Sequence, residues 1–217
     1  MQITRLGHSC FKIQTKTTAG EVTIVTDPYN KEIGFRMSKT TADIATVSHD
    51  HYDHNKVKEV HGDPFVVNGP GEYEVKNIFI HGVASFHDQQ EGKERGGNII
   101  YVVKFLDEDI TIAHLGDLGH VLSDEQLEHL EKIDILLIPV GGKYTIDAKE
   151  AVEVINQIEP RIVIPMHYKT TGLKIDGLAG VDSFCEEVGA CSEKMNKLKI
   201  SKKDLPQEET KVIVLER

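Results

Sequence analysis

His49-Asp50-His51-Tyr52-Asp53-His54 packs three imidazoles and a carboxylate of the pattern H-x-H-x-D-H into six consecutive residues. The apolar run Ala42 to Val47 before it reads as a short strand, and a short polar helix is expected around Asn55 to Val60 after it. The cluster therefore occupies a strand-to-helix loop. In an extended stretch His49 and His51 project to the same side and can share one metal, while the turn after Tyr52 swings Asp53 and His54 toward a second. Imidazole nitrogen and carboxylate oxygen suit Zn²⁺, and also Mn²⁺ or Fe²⁺. At this chain's own His and Asp frequencies the pattern arises by chance in roughly two of a thousand such sequences, so the spacing carries chemistry.

Upstream, Ile3 to Leu6, Cys10 to Thr15 and Val22 to Thr26 are β-branched runs broken by turn residues, the signature of an antiparallel meander. Downstream, strands are expected at Phe65 to Val67, Ile78 to Ala84, Asn98 to Phe105 and Ile110 to His114. The rhythm then changes. Ser123 caps a helix through Leu130, Ile133 to Pro139 reads as a buried strand, and Asp147 caps a helix Ala148 to Ile158. Arg161 to Ile164, a helix near Val181 to Val188 and Lys211 to Leu215 complete an α/β pattern with layered sheets and no linker.

The 217 residues include 39% hydrophobic and 28% charged side chains, ample for a core and enough for one globular domain. No apolar run approaches the roughly 18 residues of a membrane span, and Met1 to Arg5 lacks a signal-peptide pattern, so a cytoplasmic protein is expected. The net charge of −10 disfavours general nucleic-acid binding. Lys194, Lys197, Lys199, Lys202 and Lys203 read as a solvated face, and Glu91 to Gly97 as a mobile loop or an ordinary exposed hairpin turn. Cys10, Cys185 and Cys191 form no C-x-x-C pair, so reduced thiols are expected. Eleven histidines is a high count for this length.

The H-x-H-x-D-H motif resembles that of the metallo-β-lactamase superfamily, and flanking segments are similar to it along nearly the whole chain. The resemblance implies a four-layer αββα sandwich, residues 1–217 as one hydrolase domain, and two divalent metals at one edge of the sheets. Asp27, in Val25-Thr26-Asp27-Pro28, matches an Asp that supports the metal loop in that family without binding metal. His87 matches the third ligand of the first metal, Asp117 the carboxylate shared by both, and His167 the last ligand of the second. On this reading His49, His51 and His87 bind one metal, Asp53, His54 and His167 the other, and Asp117 spans them. His81, inside an expected strand, and His114, placed to hydrogen-bond a neighbour of Asp117, are the competitors for the role of His87.

Leu6-Gly7-His8-Ser9, Pro139-Val140-Gly141-Gly142 and Pro160 through Tyr168 resemble the branch that contains ascorbate-6-phosphate lactonase and many small Zn-dependent hydrolases. The family's di-iron oxygen reductases carry Glu where His51 stands, and its Cys-using β-lactamases carry a ligand absent near Asp117 and His167. The resemblance thus implies attack by a metal-bridging hydroxide on a small ester or lactone, phosphorylated or not, with an anionic substrate drawn to the cationic centre. Asp53 is a candidate proton carrier as well as a ligand, and His8 and His120 are candidates to protonate a leaving group or bind a phosphate. The alternatives are a phosphodiesterase acting on nucleotides or phospholipid headgroups, and a non-catalytic metal-binding module. The sequence leaves oligomeric state, substrate identity and the physiological metal open.

Overall fold

The computed structural model describes residues 1–189, 191 and 193–217. Alternating apolar positions place Gln2–Gly7 (β1), Cys10–Thr17 (β2) and Gly20–Thr26 (β3) in an antiparallel meander, as their spacing predicts. Thr40–Thr41 (β4), Ile44–Thr46 (β5), Val60–His61 (β6), Phe65–Val67 (β7) and Gly71–Val75 (β8) follow, then Ile78–Phe86 (β9), Gly97–Phe105 (β10) and Ile110–His114 (β11). The rest alternates: Asp124–Glu128 (α1), Ile135–Pro139 (β12), Ala148–Ile158 (α2), Ile162–Met166 (β13), Val181–Glu187 (α3), Glu193–Met195 (β14), Leu198–Lys199 (β15) and Lys211–Leu215 (β16). Ser123 with Gln126, and Asp147 with Glu150, close the capping boxes that start α1 and α2.

One sheet has the order β15-β1-β2-β3-β5-β7 and the other β14-β16-β13-β12-β11-β10-β9-β8. Between them lies the main core, where Ile3, Phe11, Ile13 and Ile24 meet Ile80, Tyr101, Ile112 and Leu137. The far face of the second sheet packs Leu136, Ile138 and Val163 against Val154 of α2 and Phe184 of α3. β12 and β13 are buried on both faces, which is why they read as unbroken apolar runs. Over the first sheet, Leu6, Cys10 and Val25 are covered by Ile33, Met37, Leu173 and Ile175, from loops and a 3-10 turn at Lys31–Ile33. The expected α/β sandwich thus has helices over the second sheet and short turns over the first.

Several local expectations are corrected. The strand expected over Ala42 to Val47 is present but shorter, as β5, because at Asp43 the backbone N–H and carboxylate both bond to Thr23. The polar helix after the histidine cluster shrinks to a 3-10 turn, Val57–Glu59, because Val60 and His61 are taken up as β6 by pairing with β4. β8, β14 and β15 had no alternating apolar signal; they form by pairing with β9, β16 and β1. Cys185 and Cys191 are joined in a disulfide, with Cα atoms 5.2 Å apart, because the chain folds back after α3. Cys10 is free and buried. Among the described residues no helix is long and apolar enough to cross a membrane.

Candidate metal centre

β1, β3 and β5 run in one sense in the first sheet, as do β9, β11 and β13 in the second. Within three residues of their carboxyl ends stand His8, Asp27, His49, His87, Asp117 and His167. Side chains from six strand ends thereby converge at one edge, the position where α/β sheets present ligand sites. Three of these residues hold left-handed backbone, with φ of 53° at His8, 39° at Asp27 and 52° at His167. Each such conformation costs about 1 kcal/mol or more and persists where the surroundings over-determine it. Two glycines let the loops close. A Cβ on Gly119 would lie 2.3 Å from the Asp88 nitrogen, and one on Gly141 would lie 2.1 Å from the His167 carbonyl oxygen.

Asp117 Oδ2 is the centre of the cluster. It lies 3.1 Å from His167 Nε2, 3.2 Å from His87 Nε2, 3.3 Å from His54 Nε2 and 3.8 Å from His49 Nε2. To one side His49, His51 and His87 offer donor atoms within 4.8 Å of one another; to the other, so do His8, Asp53, His54 and His167. Nε2 of His8, His49 and His54 and Oδ1 of Asp117 are buried without a hydrogen-bond partner among the described residues. Each orphan of this kind costs about 1–3 kcal/mol, so their crowding at one point calls for a cationic occupant. The donor set fits divalent metal ions.

The surrounding hydrogen bonds fix which ring nitrogens face inward. Asp27 accepts from the Ser48 N–H at 2.8 Å, the Ser48 hydroxyl at 2.6 Å and His54 Nδ1 at 2.9 Å. Having given its proton to Asp27, Ser48 Oγ accepts from His49 Nδ1 at 3.0 Å. His49 and His54 thus keep Nε2 free to face Asp117. Asp117 donates its own N–H to Asn98 Oδ1 at 2.9 Å. His114 Nε2 donates to the Ser9 carbonyl at 2.8 Å, and its Nδ1 accepts from the Gly116 N–H at 3.2 Å, a contact with the neighbour of Asp117. Buried Arg5 donates to the His8 carbonyl and the Tyr168 hydroxyl, tying the β1–β2 turn to the loop after β13.

The cluster therefore gathers His8, His49, His51, Asp53, His54, His87, Asp117 and His167. His120 stays outside it: Nδ1 donates to the Val121 carbonyl and Nε2 accepts from the Phe86 N–H, bracing the end of β9. His81 packs edge-on against His129, with ring centroids 4.9 Å apart. Glu91 to Gly97 forms the turn of the β9–β10 hairpin, closed by the Asp88 carboxylate, which accepts from the N–H groups of Gln90, Gly92, Glu94 and Arg95.

Arg95 thereby reaches a cavity of about 540 Å³ whose walls include His51, Asp53, His87, Asp117 and His167, with Tyr52, Tyr144, Lys174 and Asp176 around them. Arg95, Tyr144 and Lys174 were not singled out in the sequence. They sit in loops without periodicity, near no motif but the glycines that flank them. A larger cavity, about 1000 Å³, lies at the opposite ends of β12 and β13 beside Asp134 and Arg161, and its walls carry no histidine.

Burial pushes His8 down to about 3, with repulsion from His167 adding to it. Burial and repulsion from His54 likewise push His49 down to about 3. Burial works in the same direction on His54, but the Asp117 and Asp53 carboxylates outweigh it and hold that imidazole well above the usual 6.5. In the metal-free protein these shifts act on stability from two sides. Below pH 6.5 the unfolded chain binds protons that folded His8 and His49 refuse, so stability falls as the pH drops toward 3. Above 6.5 folded His54 keeps a proton that the unfolded chain has shed, so stability falls as the pH rises through the folded value. Each group contributes a slope of about 1.4 kcal/mol per pH unit in its window. Urea denaturation of chelator-treated protein from pH 4 to 9 is expected to show a maximum near 6.5; a monotonic profile would contradict these charge states.

Comparison with known proteins agrees with this architecture. A family model described as the beta-lactamase superfamily domain matches residues 2–167. A UPF0173 protein of Pyrococcus abyssi is 32% identical over 193 residues, 79% of this chain and 85% of that protein. A UPF0173 metal-dependent hydrolase of Pyrococcus horikoshii is 31% identical over 195 residues, 76% of this chain and 83% of that protein. A solved structure from Thermotoga maritima, assigned to the metallo-beta-lactamase superfamily, superposes with a TM-score of 0.78 at 39% identity, covering 99% of this chain and 97% of its own. With its strand ends, its H-x-H-x-D-H loop and its relatives in accord, the chain belongs to the beta-lactamase superfamily, as a relative of that family's metal-dependent hydrolases.

Proposed function

We propose that this chain is a dinuclear metal-dependent hydrolase of small esters or lactones that carry a phosphate or similar anionic group, with residues 1–217 acting as one domain. The observation that carries it is the approach of four imidazole Nε2 atoms to within 3.1–3.8 Å of Asp117 Oδ2 beside an open cavity. His49, His51 and His87 would hold one ion, Asp53, His54 and His167 the other, and Asp117 both. Zn²⁺ suits these donors, as do Mn²⁺ and Fe²⁺. When bound, the ions supply Lewis acidity and a water whose pKa is brought to about 7.

The side chains do the rest. Asp53, held ionised against the burial penalty chiefly by His54, is suited to hold a cation, and its place on the cavity wall makes it the candidate proton carrier once its charge is shared with the ions. Arg95 and Lys174 draw an anionic substituent to the same cavity, and Tyr52 and Tyr144 flank it. A cavity of about 540 Å³ fits a small metabolite. The −10 net charge is no obstacle, because the cations line the pocket itself.

Protein loaded with Zn²⁺ or Mn²⁺, with its metal counted by mass spectrometry, tests the reading against lactones, thioesters and phosphodiesters in neutral and phosphorylated pairs. Two ions per chain and a lower KM for the phosphorylated lactone or ester are expected. Arg95→Ala should raise the KM of the phosphorylated member about tenfold or more, the cost of one charged hydrogen bond, and leave the neutral member unchanged. Turnover of phosphodiesters alone would replace the ester reading, and metal-replete protein silent on every class would remove catalysis from it.

A further inference from the structure

His8 lies on the tight turn between β1 and β2, with φ of 53° and a fully buried side chain. Its Nε2 stands 3.3 Å from Asp53 Oδ2, and its ring centroid is 4.2 Å from that of His167 and 5.1 Å from that of His54. Despite this crowding, neither ring nitrogen has a hydrogen-bond partner among the described residues. The approach to Asp53 is proximity without hydrogen-bond geometry, the arrangement of two donors disposed around a shared cation. His8 is also absent from the cavity wall, whose histidines are His51, His87 and His167, so a bound small molecule would not touch it. Its donor atom lies within the same 4.8 Å cluster as those of Asp53, His54 and His167. The hydrogen bonds of Arg5 to the His8 carbonyl and the Tyr168 hydroxyl hold the turn against the loop that carries His167. A buried, strained and unpartnered imidazole of this kind costs stability unless something binds it.

We propose, resting on the two-metal reading above, that His8 Nε2 is an additional protein donor to the second ion. The two sites are then unequal. The first has three imidazoles and a share of Asp117, and opens to the cavity through exposed His51. The second has His8, His54, His167, Asp53 and a share of Asp117, five protein donors where a tetrahedral zinc site uses four. It takes a divalent transition ion of higher coordination number, such as Mn²⁺, Fe²⁺, Co²⁺ or Ni²⁺, and it fills first, while the first site exchanges more readily.

Co²⁺ titrated into metal-free protein tests this by affinity and by the visible spectrum, independently of any substrate. Wild-type protein is expected to bind two equivalents, one tighter than the other. His8→Asn, whose side chain tolerates left-handed backbone, and His8→Ala should weaken the tighter equivalent about ten- to a hundredfold and leave the other unchanged. A second measurement keeps His8 in place. In His51→Ala, which disables the first site, X-ray absorption of the single bound cobalt should count three imidazoles. A count of two, or unchanged affinity for both equivalents in folded His8→Asn, would overturn the assignment of His8 alone. Fewer than two equivalents in wild-type protein would overturn the two-metal reading and this inference with it.

Discussion

On the proposed two-metal reading, Asp117→Ala is expected to strip the protein of both ions and to lower turnover by on the order of 10³-fold or more. Among the described residues Oδ2 is the one carboxylate oxygen within 4 Å of histidines from both halves of the cluster: His49 and His87 on one side, His54 and His167 on the other. Losing a partner that merely orients a ligand costs about 10–100-fold in metal affinity, and a ligand shared by two sites should cost at least the product of two such losses. The variant also removes the carboxylate that does most to hold the proton on His54, leaving Asp53 and Asp27 alone to offset it. Metal content and turnover measured on one preparation decide the matter. A variant that keeps two ions would show that Asp117 is a bystander, and one that keeps a single ion would place it in one site only.

Asp27→Asn is expected to destabilise the protein by roughly 3–5 kcal/mol and to weaken metal binding about 10–100-fold, although residue 27 touches neither cavity nor cluster centre. Asp27 is completely buried and accepts three hydrogen bonds, from the Ser48 N–H, the Ser48 hydroxyl and His54 Nδ1. Oδ2 receives two of them, so an amide nitrogen there would oppose two donors at once, and rotation would only transfer the conflict to the Ser48 N–H. Once the Asp27 anchor is lost, the His54 ring is free to take the other tautomer and to turn its lone pair away from Asp117. For a chain of this size about 1 kcal/mol corresponds to 2–4 °C, so the melting temperature should fall by roughly 6–20 °C. Thermal melts of metal-free and loaded protein, with a metal titration, check both effects. Ser48→Ala should have a smaller effect, because the backbone bond to Asp27 survives it. A shift of under a few degrees in Asp27→Asn would mean that the loop is positioned by something else.

How much of this was legible beforehand differs by residue. His49, His51, Asp53 and His54 announce themselves because their spacing is local: one loop brings the four donors together whatever the rest of the chain does. Helices α1 and α2 were equally legible, since a capping box and a 3.6-residue apolar repeat are written within a dozen residues. Strands β8, β14 and β15 were not, because short charged segments acquire strand geometry only from the neighbours they pair with. The Cys185–Cys191 disulfide has no local signature for a similar reason: pairing at a separation of six residues depends on the path of the chain after α3.

His8 marks the boundary most clearly. In the sequence it is a histidine in a turn, more than forty residues from the metal motif, with a role in proton transfer or phosphate binding open to it. Pairing of β1, β2 and β3 carries it to the same edge as His49, and Arg5 then locks its turn against the loop after β13. His120 travels the other way: it follows Asp117 by three residues, yet both its ring nitrogens end on backbone groups outside the cluster. Residue types and local spacing, on their own, determined that this chain carries a histidine and aspartate metal motif within an α/β pattern. His87, Asp117 and His167 were named by resemblance to a family and by no local pattern, and only the tertiary structure brings them, and His8 with them, to the loop. Convergence of six strand ends is a product of sheet pairing and core packing over the whole chain, and no window of sequence contains it.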